Sequence, residues 1–382
     1  MTHPTMMRPP PVDPARSMME NNLEVTEMSV LGPDVYTNAR PPWHPPGARG
    51  IYGGSVVSMC LAAGQRTVEP DFAPHSCHCY FLLAGNAAIP ILLHVERVRD
   101  GRSFATRTVQ ARQRGRCIFT LTVSFARMPP KDTSTSMSTT APLHHAVAMP
   151  TSRPLQPPAD WDDDGGIEPR LLRALGIAPV EQPVVAGPMH IVGDVDALPH
   201  RKKTQQWVRV RGRISAAGGR AAHLCALAYL SDRYFIGTIC RLHRLWRLPF
   251  SVESVLGEDD VGDEKDDDDD DTTTYNQLVR SSPSLRQLIR QHVEAESGGV
   301  PLEAYRGRPR LGMVVSLDHT VYFHEPDRVC ADDWMLVEMD SPWANSGRGV
   351  VTQRIFSKDG MLLATCVQEV RAAENRTAVR GC

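Results

Sequence analysis

Four short stretches of this 382-residue chain carry side chains able to do chemistry. In GMLLATCVQEV (Gly360 to Val370), strand alternation puts Ala364, Cys366, Gln368 and Val370 on one face. Three of these suit a core face and Gln368 does not. A buried amide without partners costs roughly 1–3 kcal/mol, so Gln368 finds partners, faces a wet cavity, or lies at a solvated strand edge. In AAHLCALAYLSD (Ala221 to Asp232), Asp232 ends the apolar stripe of Leu224, Ala228 and Ser231. Taken alone, it reads as a helix-end aspartate, solvated or paired with Arg233. In GMVVSLDHTVYFHEP, Ser316 ends an apolar run, and Asp318, His319 and His324 follow closely. A Ser-His-Asp hydrolase needs those types, but no G-x-S-x-G elbow surrounds Ser316. In HSCHC, alternation sends His75, Cys77 and Cys79 to one side and His78 to the other. No second Cys/His pair at zinc spacing follows, so no metal is expected.

Other motifs carry less. The basic run His200-Arg201-Lys202-Lys203 could meet phosphates, though four charges in a linker read as solvated. There is no Walker loop and no G-x-G-x-x-G, and no cofactor is expected. The net charge of −2 gives no reason for bulk attraction to nucleic acid. No apolar run reaches the roughly 18 residues that span a bilayer. The polar, Pro-rich start lacks the apolar core of a secretory signal. Nine scattered cysteines fit a reduced compartment. The ending Arg-Gly-Cys is neither Ser-Lys-Leu nor a C-a-a-X box. An intracellular protein, cytoplasmic or peroxisomal, is therefore expected.

The elements that must position these residues repeat. Residues 1–22 read as disordered. After Gly53-Gly54 a helix is predicted, with Ser55 as its N-cap and almost no polar face. Strands follow at Cys77 to Leu83, Ile91 to Arg97, Ser103 to Ala111 and Cys117 to Phe125, the last two flanking the turn RQRGR. Residues 129–203, rich in Ser, Thr, Pro and Asp, read as a linker. The order then recurs from 204 to 382: a buried helix, then strands at Val321 to His324, Trp334 to Met339, Gly349 to Phe356 and Leu362 to Val370, with SKDGM as the turn. Setting Gly115 on Gly360 places Phe119, Leu121, Val123 and Phe125 on Ala364, Cys366, Gln368 and Val370. An insert over about 245–308 interrupts the second copy. It contains the run Asp266 to Asp271, read as solvated and disordered, and SPSLRQLIRQHVEAE, read as a short surface helix. A buried helix followed by antiparallel strands predicts an α+β arrangement with the sheet wrapped around the helix.

Several motifs in order resemble one family: Y-G-G-S-V-V, H-S-x-H-x-Y-F-L, V-x-x-x-R-D-G-x-S-F, then S-L-D-H-T-V-Y-F-H-E-P, D-W-M-L-V-E, R-G-V-V, D-G-x-L-L-A-T and V-Q-E. The chain is similar to the type II acyl-CoA thioesterases over roughly 23–127, 204–240 and 310–371. The resemblance implies a double hotdog, an N-terminal one over 23–128 and a C-terminal one over 204–382. It implies hydrolysis of acyl-CoA, the expected partner, to free acid and CoA. It places a water-orienting set on Asp232, Ser316 and Gln368. Ser316 stands where many members have threonine. On this reading Ser316 holds a water rather than attacking. Two alternatives stay open: an acyl-CoA-binding protein without turnover, and a hotdog enoyl-CoA hydratase or dehydratase using His319 or His78. A homo-oligomer is compatible with the sequence.

Overall fold

Two hairpin turns set the repeat. Arg114 and Gly115 both take positive φ (49° and 74°), the geometry that closes a two-residue antiparallel turn. Gly360 takes φ 91° at the corresponding turn of the second half. In the computed structural model of the protein, which describes residues 10–44, 50–129, 143–151, 167–178, 180–194, 197–257 and 270–374, these turns anchor two copies of one unit.

The N-terminal unit contains helix α1 (Met18–Asn22), short strands β1 (Val25–Glu27) and β2 (Val35–Asn38), helix α2 (Gly53–Gln65) and strands β3 (Phe72–Phe81), β4 (Leu92–Asp100), β5 (Phe104–Gln113) and β6 (Arg116–Arg127). A connecting segment contributes helix α3 (Ile167–Ala174) and strands β7 (Val184–Ala186) and β8 (His190–Val192). The C-terminal unit has strand β9 (Lys203–Val210), helices α4 (Gly219–Ser231), α5 (Phe235–His243), α6 (Val252–Leu256), α7 (Asp270–Ser281) and α8 (Pro283–Glu296), and strands β10 (Leu311–Ser316), β11 (Asp318–Phe323), β12 (Met335–Asn345), β13 (Arg348–Ser357) and β14 (Leu362–Glu374).

The expected double hotdog forms. All 14 strands join one antiparallel sheet, whose main path runs β1-β2-β4-β5-β6-β3-β11-β14-β13-β12-β9-β7. The order β4-β5-β6-β3 is mirrored by β12-β13-β14-β11, and the two units meet where β3 pairs with β11, Cys77 opposite Val321. The two buried helices have 13 residues each, with Arg66 and Asp232 as the equivalent C-caps. They lie antiparallel: the Tyr52 hydroxyl donates to the Tyr229 carbonyl (2.9 Å) and Ser58 to the Cys225 carbonyl (2.8 Å). The inner sheet face and both helices share one core. Phe119, Leu121, Val123 and Phe125, and their counterparts Ala364, Cys366, Gln368 and Val370, are all buried. The register inferred from Gly115 and Gly360 thus holds in space.

Several expectations need correction. Helix α2 begins at Gly53 with Tyr52 as N-cap, not at Ser55, whose hydroxyl instead points back to the Trp43 carbonyl (3.5 Å). Strand β3 starts at Phe72, five residues earlier than expected. Pro74 cannot donate to the ladder, and the strand admits it with a register shift between Pro74 and Ser76. Within residues 129–203, strands β7 and β8 pair with β9, so that stretch is not purely a linker. The insert helices build a small core of their own around Trp246, Phe250, Ile289 and Tyr305. Helix α8 is present as expected, but one side of it (Leu285, Ile289, Val293) is buried. Asp266 to Asp269 lie outside the described residues; Asp270 and Asp271 begin α7.

The expected disorder over 1–22 is also corrected from residue 10 onward; residues 1–9 lie outside the described residues. Glu20, 5% exposed, accepts from the Ser17 N–H and hydroxyl (both 2.8 Å) and from the Ser215 N–H (3.0 Å) and hydroxyl (2.6 Å). These bonds hold its carboxyl below the ordinary glutamate range although burial acts the other way. The arm is thereby tied to the loop that starts α4. Replacing Glu20 by Ala leaves these donors unmatched. It should lower unfolding stability by about 1–3 kcal/mol in urea denaturation. The wild-type advantage should be present above the unfolded glutamate pKa and fade as pH falls through the lower folded one.

Candidate active site

The chain leaves α4 at Asp232 and re-enters helix at Phe235 through Tyr234, which takes φ 70°. A left-handed tyrosine is uncommon outside turns, and here it makes the tight corner that turns Asp232 inward. Arg233 is drawn away: its guanidinium donates to Gln182 Oε1 (2.8 Å) and stacks over the Tyr234 ring at 4.7 Å. The reading of Asp232 as a surface partner of Arg233 is therefore overturned.

Asp232 meets Gln368 instead. Gln368, fully buried in the middle of β14, donates from Nε2 to Asp232 Oδ1 at 2.9 Å. Its Oε1 has no partner among the described residues. The third neighbour comes from the other unit. The first turn of α2 abuts the carboxylate, and the Gly54 N–H bonds to it. A Cβ at Gly53 would lie 2.6 Å from Asp232 Oδ2 and 2.7 Å from the Phe81 ring. Glycine is required there by space, since the helix leaves no room between the two. Burial pushes the Asp232 carboxyl up to about 7, with the Gln368 and Gly54 hydrogen bonds acting against it. The carboxyl thus titrates near neutrality.

Ser316 ends β10, where it pairs with Val370. Opposed residues share a face, so Ser316 lies on the face of Gln368 and diagonal to it, at the roughly 7–8 Å typical of such neighbours. Its side chain has no hydrogen-bond partner among the described residues. All three sequence candidates thus converge on one region where α4, β10 and β14 meet the start of α2.

A Ser-His-Asp relay does not form. His319 is fully buried, and its Nε2 bonds Ser231 Oγ (2.8 Å) rather than Ser316. Asp318 accepts from the Glu369 N–H (2.7 Å), and His324 bonds Thr365 (2.9 Å). The HSCHC geometry also differs from expectation. The β3 register shift moves His75 out of line with Cys77 and Cys79, and its ring bonds Ser124 (2.8 Å) and packs edge-on to the exposed Phe104.

This assembly can be set beside known proteins. Residues 150–372 match the acyl-CoA thioesterase C-terminal domain, and residues 40–126 match the acyl-CoA thioesterase N-terminal domain. Acyl-coenzyme A thioesterase 8 of Mus musculus is 30% identical over 360 residues, covering 90% of this chain and 86% of that protein. The chain belongs to the acyl-CoA thioesterase family. Peroxisomal acyl-coenzyme A thioester hydrolase 1 of Saccharomyces cerevisiae is 24% identical, covering 93% of this chain and 95% of its own length. The structure of an acyl-CoA thioesterase II from Mycobacterium marinum has the same fold, with a TM-score of 0.56 at 24% identity over 95% of this chain and 99% of that one.

Within this thioesterase, the part that sequence reasoning left unassigned is the contribution of the N-terminal unit. The motif Y-G-G-S marks it, but only the fold shows that its glycines face Asp232 across the seam. Among the described residues, no helix is long and apolar enough to cross a membrane. Substituting Gly53 by Ala should displace either the carboxylate or Phe81. Overpacking of this kind costs about 1–3 kcal/mol, visible as a lowered melting temperature.

Proposed function

We propose that the chain hydrolyses acyl-CoA thioesters by direct attack of a water held by Asp232, Gln368 and Ser316. The observation that carries this reading is the Asp232–Gln368 pair. The amide spends one N–H on the carboxylate and keeps an oxygen without a partner among the described residues. A water donating to Gln368 Oε1 and to the carboxylate would have its lone pair directed at a thioester carbonyl, and the Ser316 hydroxyl would complete its hold. Asp232 takes the water proton as the C–O bond forms. The tetrahedral intermediate then collapses, the C–S bond breaks, and the proton passes to the departing CoA sulfur. A carboxyl that titrates near 7 can do both at neutral pH. The Gly53 N–H, at the positive end of α2, is the donor we assign to the oxyanion, since the Gly54 N–H is spent on Asp232.

The names of the relatives, an acyl-coenzyme A thioesterase and an acyl-coenzyme A thioester hydrolase, support the substrate class. For the hydratase alternative, His319 is the poorer acid or base. Burial pushes its imidazole down to about 3, and Ser231 occupies its Nε2. His78 is exposed and bonds Thr320 (3.2 Å), away from Asp232. A binding protein without turnover has no use for a carboxyl whose surroundings push it up to about 7.

Thiol release from acyl-CoA, followed with a thiol reagent, tests the mechanism. Asp232→Asn and Gln368→Ala should each lose about 10²–10⁴ in kcat/KM, with a smaller loss for Ser316→Ala. Unchanged rates in the first two would sink it. A second test is the pH profile. The active form is the carboxylate, so kcat/KM should rise with pH through about 7 and then level off. That limb should disappear in the residual activity of Asp232→Asn.

A further inference from the structure

The helices that interrupt the second unit hold charge as well as apolar surface. Where α5, residues 245–248 and α8 meet, they leave a cavity of about 250 Å³, lined by Arg241, Arg247, His292, Glu296 and Tyr305 with apolar neighbours. None of these residues belongs to a motif that carries the family resemblance.

Arg241 folds back along its own helix. Its Nε donates to the Glu296 carbonyl (2.6 Å), its Nη2 pairs with the Glu296 carboxylate, and the guanidinium lies over the Tyr234 ring at 5.5 Å. The residue is 5% exposed, and its Nη1 has no hydrogen-bond partner among the described residues. Room for that nitrogen comes from Gly237, one turn earlier, where a Cβ would lie only 2.3 Å from it. The same point lies 3.5 Å from Nη1 of Arg247. Two guanidinium groups therefore converge beside one turn of α5.

One carboxylate serves both. Arg247 Nη2 lies 3.8 Å from the Glu296 oxygen that Arg241 already holds. Burial acts to raise the Glu296 carboxyl, but Arg241, His292 and Arg247 outweigh it and bring it down to about 2. Glu296 is thus fully ionised at neutral pH and balances one of the two guanidinium charges. The other is left over, beside a buried N–H of a charged group that costs energy while unpaired. Arg247 is exposed, so the cavity can be reached from solvent on its side.

These features specify an oxyanion with several acceptor atoms. Guanidinium groups match phosphoryl oxygens in geometry and charge. The volume is below the roughly 300 Å³ at which pockets for drug-sized ligands begin, which suits a phosphoryl group and not a whole nucleotide. We propose that this cavity binds a phosphoryl group through Arg241 Nη1 and Arg247. The group has two possible sources, the 3′-phosphate of CoA or a phosphorylated small molecule other than the substrate. Binding here does not depend on thioester hydrolysis. It does border the turn that presents Asp232, because the Tyr234 ring that carries Arg241 also carries Arg233.

The test uses the full chain at neutral pH. Inorganic phosphate should raise the melting temperature saturably, by about 2 °C over sodium chloride of equal ionic strength, and acetate should not. Arg247→Gln and Arg241→Lys should each lose most of that rise. Titration calorimetry with CoA and 3′-dephospho-CoA separates the sources. If CoA supplies the group, CoA binds at least about tenfold tighter than the dephospho form, and Arg247→Gln closes the gap. If the ligand is separate, both forms bind alike and the phosphate effect persists with CoA saturating. A phosphate effect absent together with the CoA gap would overturn the proposal. So would an equal rise with acetate, or effects that survive both substitutions. Arg247 is a surface residue, so its variant decides if Arg241→Lys fails to fold. Each of these failures leaves the thioesterase reading intact.

Discussion

The bond between Gln368 and Asp232 is the constraint around which the C-terminal unit is arranged. A carboxylate in a low-dielectric site loses far more hydration energy than one hydrogen bond returns. It stays only if the surroundings determine its place from several sides. Here α4 delivers it at its C-cap, the left-handed Tyr234 turns the chain, β14 supplies the amide, and the first turn of α2 closes the remaining side. The negative end of α4 disfavours the carboxylate, while the positive end of α2 favours it. The charge is held by the neighbouring unit's helix, so neither hotdog could stabilise this site alone.

The other end of the helix pair shows the same architecture with a different set of polar side chains. At the C-cap of α2 the position equivalent to Asp232 is Arg66. The fully buried Arg107 donates there to the Thr67 hydroxyl (2.8 Å) and carbonyl (2.9 Å). Thr67 in turn donates its hydroxyl to the Gly64 carbonyl in the last turn of α2 (2.8 Å). Near the start of α4, Glu20 of the N-terminal arm ties down the Ser215 loop. One end thus meets its polar groups with fixed partners. The other leaves Gln368 Oε1, Gln353 and His319 Nδ1 unmatched. Buried polar atoms are ordinarily paired, and four unpartnered ones among the described residues lie on three adjacent strands beside Asp232.

How much of this was legible in the sequence follows from what is local. The hairpins were readable because Gly115 and Gly360 mark turns that only a few residue types accept. The departure at Gln368 was readable because Val123 provides an internal template. Asp232 by itself was not. A carboxylate at a helix end is ordinary, and only the strand that meets it makes it chemical. The pairing of β3 with β11 joins residues some 240 positions apart and leaves no periodic trace. Strand β3 begins earlier than the sequence suggests, because a proline ordinarily argues against a strand interior and the bulge at Pro74 admits one. The arm over 10–22 was misread because its composition looks disordered while its Ser17 and Glu20 form a capping box with a second set of partners in the C-terminal unit.

Gln353 is inconspicuous in the sequence for a different reason. In RGVVTQRIF it alternates as an inward residue between Val351 and Ile355, and a single glutamine in an apolar series reads as noise. Gln368 invited attention because a paired hairpin offered Val123 for comparison. The same comparison, carried one strand further, sets Gln353 against Val109. Duplication thus does more than reveal the fold. Since both units face the same packing demands, the inward positions where they differ in polarity measure what function has imposed on one of them. By that measure the C-terminal unit carries Gln368 and, one strand over, Gln353, a second buried amide where the other unit has valine.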